Sequence, residues 1–266
     1  MNTPIVAMDL VVQDIALAFG GIRALRGVSL KAPAGKITAV IGPNGAGKTS
    51  LFNTISGFYR PNSGRVLLGG IDITDAAVHA RAGMGLARTF QNVALFSGLS
   101  VLENIKLGGH HLINANPLAA IFGLSSSRQA EMALRAEVEQ RVIDFLELDN
   151  VRHKPVEALS HGLQKRVELA RGLAMRPSVL LLDEPVAGMN REETEDMARY
   201  ILDVQEEWGV TVVIVEHDMG LVMDISHHVA VLNFGELIAQ GPPSQVASDP
   251  EVIKAYLGGE TSAVCA

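Results

Sequence analysis

The sequence has little cysteine, few aromatic residues and no excess of basic residues. One cysteine among 266 residues excludes a disulfide framework and a cysteine-based metal site. Aromatic residues make up 5% of the chain, which disfavours a surface that stacks nucleic-acid bases. The 22 lysines and arginines are outnumbered by 29 aspartates and glutamates, which gives a formal net charge of -7. This balance argues against bulk nucleic-acid binding.

Long hydrophobic runs are also missing. The longest apolar stretches, residues 179–182 and 210–215, have the length of strands, whereas a helix that crosses a bilayer needs about 20 apolar residues. Residues 1–10 show neither the basic start nor the apolar core of a secretory signal. Cys265 is second from the end, where prenylation requires the fourth position. We therefore expect a cytoplasmic chain.

What the sequence does contain is an alternation of apolar strands and helices. Strands that are apolar on both faces and alternate with helices are typical of a parallel sheet covered on both sides, so we predict an α/β fold. The predicted strands are 8–17, 23–31, 36–41, 65–68, 179–182, 210–215, 229–232 and 236–240. The predicted helices are 48–55, 100–107, 127–148, 160–175, 192–208 and 251–257. The helices within the middle third would form a lobe inserted in the domain.

A glycine-rich loop follows the predicted strand 36–41. It reads Gly42-Pro43-Asn44-Gly45-Ala46-Gly47-Lys48-Thr49 and fits the pattern G-x-x-x-x-G-K-[ST]. Glycines allow backbone N–H groups to wrap a phosphate, and the next helix points its partial positive charge at it. Lys48 would bridge the terminal phosphates, and Thr49 would offer its hydroxyl to magnesium. Ser50, the next residue, would also contribute to ATP binding. The alternative is an ordinary glycine-rich turn, but the flanking strand and helix favour phosphate binding.

Two carboxylates end the apolar strand 179–182. Ligands of parallel sheets bind at the carboxyl ends of the strands, so Asp183 would lie beside the glycine-rich loop as the magnesium partner. Glu184 can then act as the general base on the attacking water. The alternative is a solvated acidic turn before Pro185, but with the glycine-rich loop present we favour catalysis.

Together with two further segments, these motifs resemble an ATP-binding-cassette ATPase. Leu159-Ser160-His161-Gly162-Leu163-Gln164 lies between them, and Glu216-His217-Asp218 follows. The resemblance implies a P-loop NTPase of the ABC type, a single nucleotide-binding domain over residues 1–266. It would have a RecA-like core with an antiparallel β subdomain (1–92 and 160–266) and an inserted α-helical subdomain (93–159, with a longer insertion around 108–141).

The resemblance also implies roles for further residues. Phe19 would stack on adenine, although an aromatic core residue at a strand end is the alternative. Gln91 would touch magnesium or the attacking water, and its flanks would contact a membrane subunit. His217 would hydrogen-bond the terminal phosphate. A signature segment would meet the ATP of a second subunit, and its serine is also a natural helix N-cap; it consists of Ser160, His161, Gly162 and Leu163.

Two positions depart from the family's pattern. The common signature S-G-G-Q reads Ser-His-Gly-Leu over residues 160–163, and Asn190 stands where the family usually has aspartate. Gly162, the glycine nearest the phosphate, is kept, and Leu163 fits the apolar stripe of its helix. The departures concern coupling between subunits rather than ATP hydrolysis.

Within the family, the chain most resembles the ATPase subunits of bacterial branched-chain amino acid importers. The similar features are the long segment 108–141, the loop 184–190 and the tail 234–258. Importers of urea or amides and the lipopolysaccharide-export ATPase are the alternatives. A cassette ATPase outside transport fits less well because the chain has one cassette and no long coiled-coil insertion, and the full set of catalytic residues disfavours a dead nucleotide sensor.

This resemblance implies ATP and Mg²⁺ as cofactors and several protein partners. These are two integral-membrane permease subunits, a second ATPase subunit (a paralogue or a second copy) and, through the complex, a periplasmic solute-binding protein, with no nucleic acid. The chain would lie peripherally on the cytoplasmic face of the inner membrane. ATP would hold two ATPase subunits closed and hydrolysis would release them, which would drive the permease.

Overall fold

The computed structural model describes residues 5–89, 94–112, 132, 135–136 and 138–257. The chain divides into two compact units. The first consists of Met1–Arg88, Ser178–Glu184 and Ile201–Ala266, and the second of Thr89–Pro177 and Pro185–Tyr200. Within the described ranges, no helix is both long enough and apolar enough to cross a membrane.

The regular elements alternate along the chain. The strands are β1 (Leu10–Phe19), β2 (Ile22–Ala32), β3 (Ile37–Ile41), β4 (Ser63–Leu68), β5 (Ile71–Asp72), β6 (Leu86–Arg88), β7 (Val179–Asp183), β8 (Thr211–Val215), β9 (His228–Asn233) and β10 (Glu236–Gly241). The α-helices are α1 (Lys48–Ser56), α2 (Val78–Gly83), α3 (Val101–Gly108), α4 (His161–Ala174), α5 (Arg191–Trp208), α6 (Met219–Ile225), α7 (Pro243–Ala247) and α8 (Pro250–Leu257).

A six-stranded sheet runs through the first unit in the order β10-β9-β3-β8-β7-β6. Its neighbouring strands are parallel, except that β10 is antiparallel to β9. Every residue of β3, β7 and β8 is buried, which is the burial expected of strands covered on both faces. The predicted α/β class is confirmed.

A second, antiparallel sheet of four strands, in the order β2-β1-β4-β5, also belongs to the first unit. Residues from both sheets and from α1 share one hydrophobic cluster. Leu51, Phe52 and Ile55 are the α1 residues in that cluster, so the helix that follows the glycine-rich loop is fixed by apolar packing. Burial of apolar surface is the main favourable contribution to such packing.

Arg81 of α2 holds the C-terminal end of α1. Its guanidinium donates to the carbonyl oxygens of Thr54 (2.8 Å) and Ile55 (2.6 Å), and also to those of Thr74 (2.7 Å) and Ala76 (2.9 Å). The last carbonyl groups of a helix have no partner within the helix. The buried Arg81 side chain supplies donors for them.

The second unit is helical. Ser100 caps α3 with a capping box, because its Oγ accepts from the Glu103 N–H and the Glu103 carboxylate accepts from the Ser100 N–H. A π-helix covers Val138–Ile143, and the backbone turns at residues 144–147. The predicted helix 127–148 is therefore wrong at its C-terminal end, while residues 127–131, 133–134 and 137 of that prediction lie outside the described ranges. α5 begins in this unit and continues into the first unit at Ile201.

Apart from helix 127–148, the predicted strands and helices agree with the structure to within about two residues, whereas several short elements were not predicted. The missed elements are β5, β6, α2, α6 and α7. β6 has only three residues, too few to show a hydrophobic period. It nevertheless forms the edge of the large sheet beside β7.

Candidate functional site

The glycine-rich loop connects β3 to α1 and requires glycine at its two ends. A Cβ atom on Gly42 would overlap the backbone carbonyl of Leu232, and one on Gly47 would come within 2.8 Å of the Ala24 carbonyl oxygen. Gly47 has a left-handed backbone (φ 106°) and is the N-cap of α1, with no side-chain cap bond at that end. The first N–H groups of α1 are therefore available to an anion.

Lys48 is the first residue of α1, and its ammonium group lies across the loop. Its side chain is 6% exposed, and Nζ donates to the carbonyl oxygens of Gly42 (2.6 Å) and Pro43 (3.1 Å). Burial lowers the pKa of Lys48, and the carboxylates of Glu184 and Asp183 oppose that shift. An ammonium group has three N–H donors, so one donor remains beyond the two bonds to the loop.

The other loop residues differ in exposure. Ala46 is buried, with its carbonyl oxygen accepting from the Gly235 N–H at 2.9 Å in the β9–β10 turn. Asn44, Gly45 and Thr49 are exposed and Ser50 is partly buried. Thr49 is thus an exposed residue on the first turn of α1.

Asp183 ends β7 and is paired with an arginine that sequence reasoning gave no role. The Asp183 and Arg88 side chains are 5% and 8% exposed, and Arg88 Nη2 lies 2.8 Å from Asp183 Oδ2. Arg88 comes from β6, the adjacent parallel strand. The only sequence signal for this pair is a basic residue near the end of the strand that neighbours β7. Recognising that signal requires knowledge of the strand order.

Glu184 has an unusual backbone that is fixed by the neighbouring strand. Its φ is 49°, in the left-handed region, and its N–H donates to the Val215 carbonyl oxygen at 2.9 Å. The Glu184 Oε1 lies 3.0 Å from His217 Nε2. Non-glycine residues in left-handed backbone are uncommon and cluster at functional sites. The contact holds a carboxylate, suited to a general base, against an imidazole.

His217 is placed by the residues on either side of it. Its N–H donates to the carboxylate of the buried Glu216 at 2.9 Å. Asp218 caps α6, because its Oδ1 accepts from the Leu221 N–H at 3.0 Å. The imidazole is 45% exposed and is therefore accessible to a ligand on its open side.

Phe19 lies at the end of β1 and is 47% exposed. Its ring packs edge-on against Tyr59, with the ring centroids 5.0 Å apart and an interplanar angle of 73°. This exposure does not fit the alternative of a core aromatic residue. Nearly half of the residue's surface is open to solvent, so the ring is accessible to an aromatic ligand such as a base.

Tyr256 of α8 reaches the glycine-rich loop, and the sequence gave no sign of this. Burial raises the pKa of the Tyr256 phenol, and a hydrogen bond from the backbone of Gly42 lowers it. The C-terminal helix thus touches the first residue of the loop.

The predicted signature residues lie in the second unit, at the start of α4. Ser160 is its N-cap and accepts from the Leu163 N–H at 3.3 Å. A Cβ on Gly162 would overlap the carboxylate of Glu193, which gives this glycine a structural reason of its own. His161 is exposed and Leu163 partly buried. Gln91 lies outside the described residues.

Asn190 has a structural role in the same unit. Its Oδ1 accepts from the Glu193 N–H at 3.0 Å, and the Glu193 carboxylate accepts from the Asn190 N–H at 3.1 Å. This reciprocal pair caps the start of α5. Asparagine and aspartate are about equally good N-caps, so the departure from the family's aspartate leaves the start of this helix supported.

Comparisons with known proteins agree on one family. The family model described as "ABC transporter" matches residues 25–187, and the model described as "Branched-chain amino acid ATP-binding cassette transporter" matches residues 236–261. The chain is 41% identical over 258 residues to the high-affinity branched-chain amino acid transport ATP-binding protein BraF of Pseudomonas aeruginosa, covering 97% of this chain and 99% of the relative. It is 37% identical over 261 residues to the protein LivG of the same description from Escherichia coli, with the same two coverages, 97% and 99%.

Solved structures give the same result. A nucleotide-free ATP-binding cassette from an ABC transporter superposes with a TM-score of 0.81 at 31% identity, over 94% of this chain and 98% of the other. The ADP conformation of an ATP-binding cassette gives a TM-score of 0.80 at 31% identity, over 94% and 99%. The matched loop, the paired acids and the fold all point the same way: the chain belongs to the ABC transporter family and is one of its ATP-hydrolysing cassettes, in which hydrolysis is coupled to transport.

Proposed function

We propose that this chain is the ATPase subunit of an importer for branched-chain amino acids. The names of the BraF and LivG relatives and the C-terminal family match support this substrate class. The observation that supports hydrolysis by this site is the 3.0 Å contact between Glu184 and His217. The nearby Lys48 interacts electrostatically with the carboxylates of both Glu184 and Asp183.

In this proposal the glycine-rich loop binds the phosphates of ATP. The backbone N–H groups of residues 42–50 and the Lys48 ammonium would surround the terminal phosphates, with the positive end of α1 adding to the attraction. Lys48 would exchange a loop carbonyl for a phosphate oxygen, which is a stronger acceptor because it is charged. The half-exposed ring of Phe19 would stack on the adenine.

The residues present fit a magnesium ion that arrives with the nucleotide. Among the described residues, no group of three or more His, Cys, Asp or Glu could hold a metal alone. Magnesium is usually bound by one or two carboxylates together with substrate phosphates, and Asp183 and the Thr49 hydroxyl would complete such a set with Gln91. When bound, the ion supplies positive charge that stabilises the transferring phosphoryl group.

Hydrolysis would use Glu184 and His217. The Glu184 carboxylate would accept a proton from the attacking water, and its fixed left-handed backbone and the His217 contact would restrict its orientation. His217 would also donate a hydrogen bond to the terminal phosphate. Pre-oriented groups lose little entropy during the reaction.

The proposed assembly contains two permease subunits, a second ATPase subunit and, through the complex, a periplasmic binding protein. The signature residues Ser160–Leu163 would contact the nucleotide of the second ATPase subunit. ATP would close the pair and hydrolysis would open it again. The chain would be peripheral on the cytoplasmic face of the inner membrane.

Reconstitution tests this proposal. The chain is co-purified with its membrane partners, placed in proteoliposomes with ATP inside, and assayed for uptake of leucine, isoleucine and valine presented with the binding protein. We expect ATP-dependent uptake that is absent when the chain carries Glu184→Gln. Uptake of urea or amides alone, or recovery with lipopolysaccharide-export proteins, would overturn the substrate class. Recovery without any membrane protein would overturn the transport role.

A further inference from the structure

Arg88 reaches the carboxylate of Asp183 because of the register between their strands. β6 and β7 are parallel, with Arg88 opposite Leu181. Paired residues share one face of a sheet and alternate residues return to that face, so Asp183 lies on the same side as Arg88, roughly 7 Å further along the strand. The arginine side chain spans this offset, which places Nη2 2.8 Å from Asp183 Oδ2.

The other side of the same guanidinium is fixed to α1. Arg88 Nη1 donates to Asn53 Oδ1 at 2.8 Å and to Ser56 Oγ at 3.1 Å. Its Cζ lies 5.6 Å from the centroid of the Phe52 ring and 5.8 Å from that of Phe58, within the range of cation–π attraction. The guanidinium therefore joins the helix that starts at Lys48 to the strand that ends at Asp183.

We propose that Arg88 is a positioning residue for the magnesium site. It fixes one oxygen of Asp183 relative to α1, so that the carboxylate meets the incoming metal and nucleotide in one orientation. The inference rests on the proposed metal role of Asp183. Outer partners that orient a metal ligand typically change metal affinity by about 10- to 100-fold when they are altered.

The shape of arginine, and not its charge alone, is what this role requires. The guanidinium is a planar fork that donates in two fixed directions, whereas a lysine ammonium is a point charge on a flexible stem. Arg88→Lys keeps a positive charge beside the buried Asp183 carboxylate. It therefore avoids leaving the negative charge of Asp183 unpaired, and an unpaired buried charge is strongly destabilising. It removes the rigid connection to Asn53 and Ser56.

The test measures nucleotide affinity with and without magnesium. A fluorescent, non-hydrolysable ATP analogue is titrated into the full chain in excess Mg²⁺ and in EDTA, and the ratio of the two affinities gives the enhancement due to the metal. For Arg88→Lys we expect the affinity in EDTA to be unchanged and the enhancement to fall about tenfold. Asn53→Ala, which leaves the ion pair and removes only one anchor, should reduce the enhancement by a smaller factor, about threefold to fivefold.

Arg81→Lys is the matched control. It makes the same chemical change in a buried arginine that also bonds to α1, but the Arg81 hydrogen bonds named above all end on backbone carbonyls and none on Asp183. It should lower thermal stability and leave the enhancement by magnesium unchanged. An equal fall in the enhancement for Arg81→Lys and Arg88→Lys would show a general effect of loosening α1 and would overturn the proposal.

Asp183→Asn separates this inference from the proposed site. If Asp183→Asn abolishes the enhancement while both Arg88→Lys and Asn53→Ala retain it in full, the positioning role of Arg88 is wrong and the metal site stands. If Asp183→Asn also retains the enhancement, the proposed metal site is itself wrong. If Arg88→Lys fails to fold, the result for Asn53→Ala decides between the first outcome and the expected one.

Discussion

Replacing Glu184 with glutamine isolates the proton-accepting role proposed for this side chain. Glutamine has almost the same volume and keeps an oxygen that can remain near His217 Nε2, now 3.0 Å from Glu184 Oε1. It carries no negative charge and is not a base. The backbone bond from residue 184 to the Val215 carbonyl oxygen does not depend on the side chain. Fold and nucleotide binding should therefore survive the substitution.

The expected loss of hydrolysis follows from the value of general base catalysis. Such catalysis contributes about 10²- to 10⁴-fold in rate, which is about 2.7 to 5.5 kcal/mol of activation free energy. We expect the turnover of Glu184→Gln to fall by that factor, measured as phosphate release at saturating ATP and magnesium. The affinity for a non-hydrolysable analogue should stay within about twofold of the unaltered chain.

The matched control is Glu207→Gln, the same change on the exposed surface of α5, which should leave turnover unaltered. Equal turnover in Glu184→Gln and Glu207→Gln would refute the base assignment. A collapse of analogue binding in Glu184→Gln would refute the separation of binding from catalysis.

Three further changes test other parts of the structure. Lys48→Ala should weaken the affinity for the ATP analogue by about tenfold or more, because it removes a charged donor to phosphate; unchanged affinity would contradict the phosphate-binding loop. Arg81→Lys should lower the free energy of unfolding by about 1 to 3 kcal/mol in urea denaturation, since an ammonium group cannot satisfy the carbonyls that the guanidinium holds. For Tyr200, burial raises the pKa of the phenol to about 12, so stability that is fully present below pH 10 is lost as the pH rises towards 12. Tyr200→Phe should flatten this alkaline decline in melting temperature, and an identical decline in both proteins would exclude the phenol as its source.

The parts of the fold that the sequence predicted well are those with a local physical signal. β7 and β8 consist of continuous apolar residues because both of their faces are covered. The glycine-rich loop was visible because glycine is required where a side chain would strike Leu232 or Ala24. Asp183 and Glu184 were selected as candidate site residues because they end an apolar run.

What sequence reasoning missed depends on which strands are neighbours. Arg88 acquires its partner only when β6 pairs with β7, and a strand of three residues gives no hydrophobic period to predict that pairing. The contact between Glu184 and His217 likewise follows from the pairing of Asp183 with Val215 across β7 and β8.

The end of the predicted helix 127–148 was wrong because Glu147, a residue with ordinary helical propensity, adopts a left-handed backbone (φ 53°) and bonds to Arg199 and Tyr200. Tertiary contacts of this kind override local propensity.

The position of Tyr256 close to the backbone of Gly42 has a practical consequence for deletion mapping. Any shortened version that lacks α8 also removes the Tyr256 side chain from beside Gly42, the first residue of the glycine-rich loop. Weak ATP binding by such a version would not distinguish a change in the loop from the loss of a separate regulatory segment. Deletions intended to probe later residues should therefore retain Tyr256, and Tyr256→Phe gives the baseline against which shorter versions are compared.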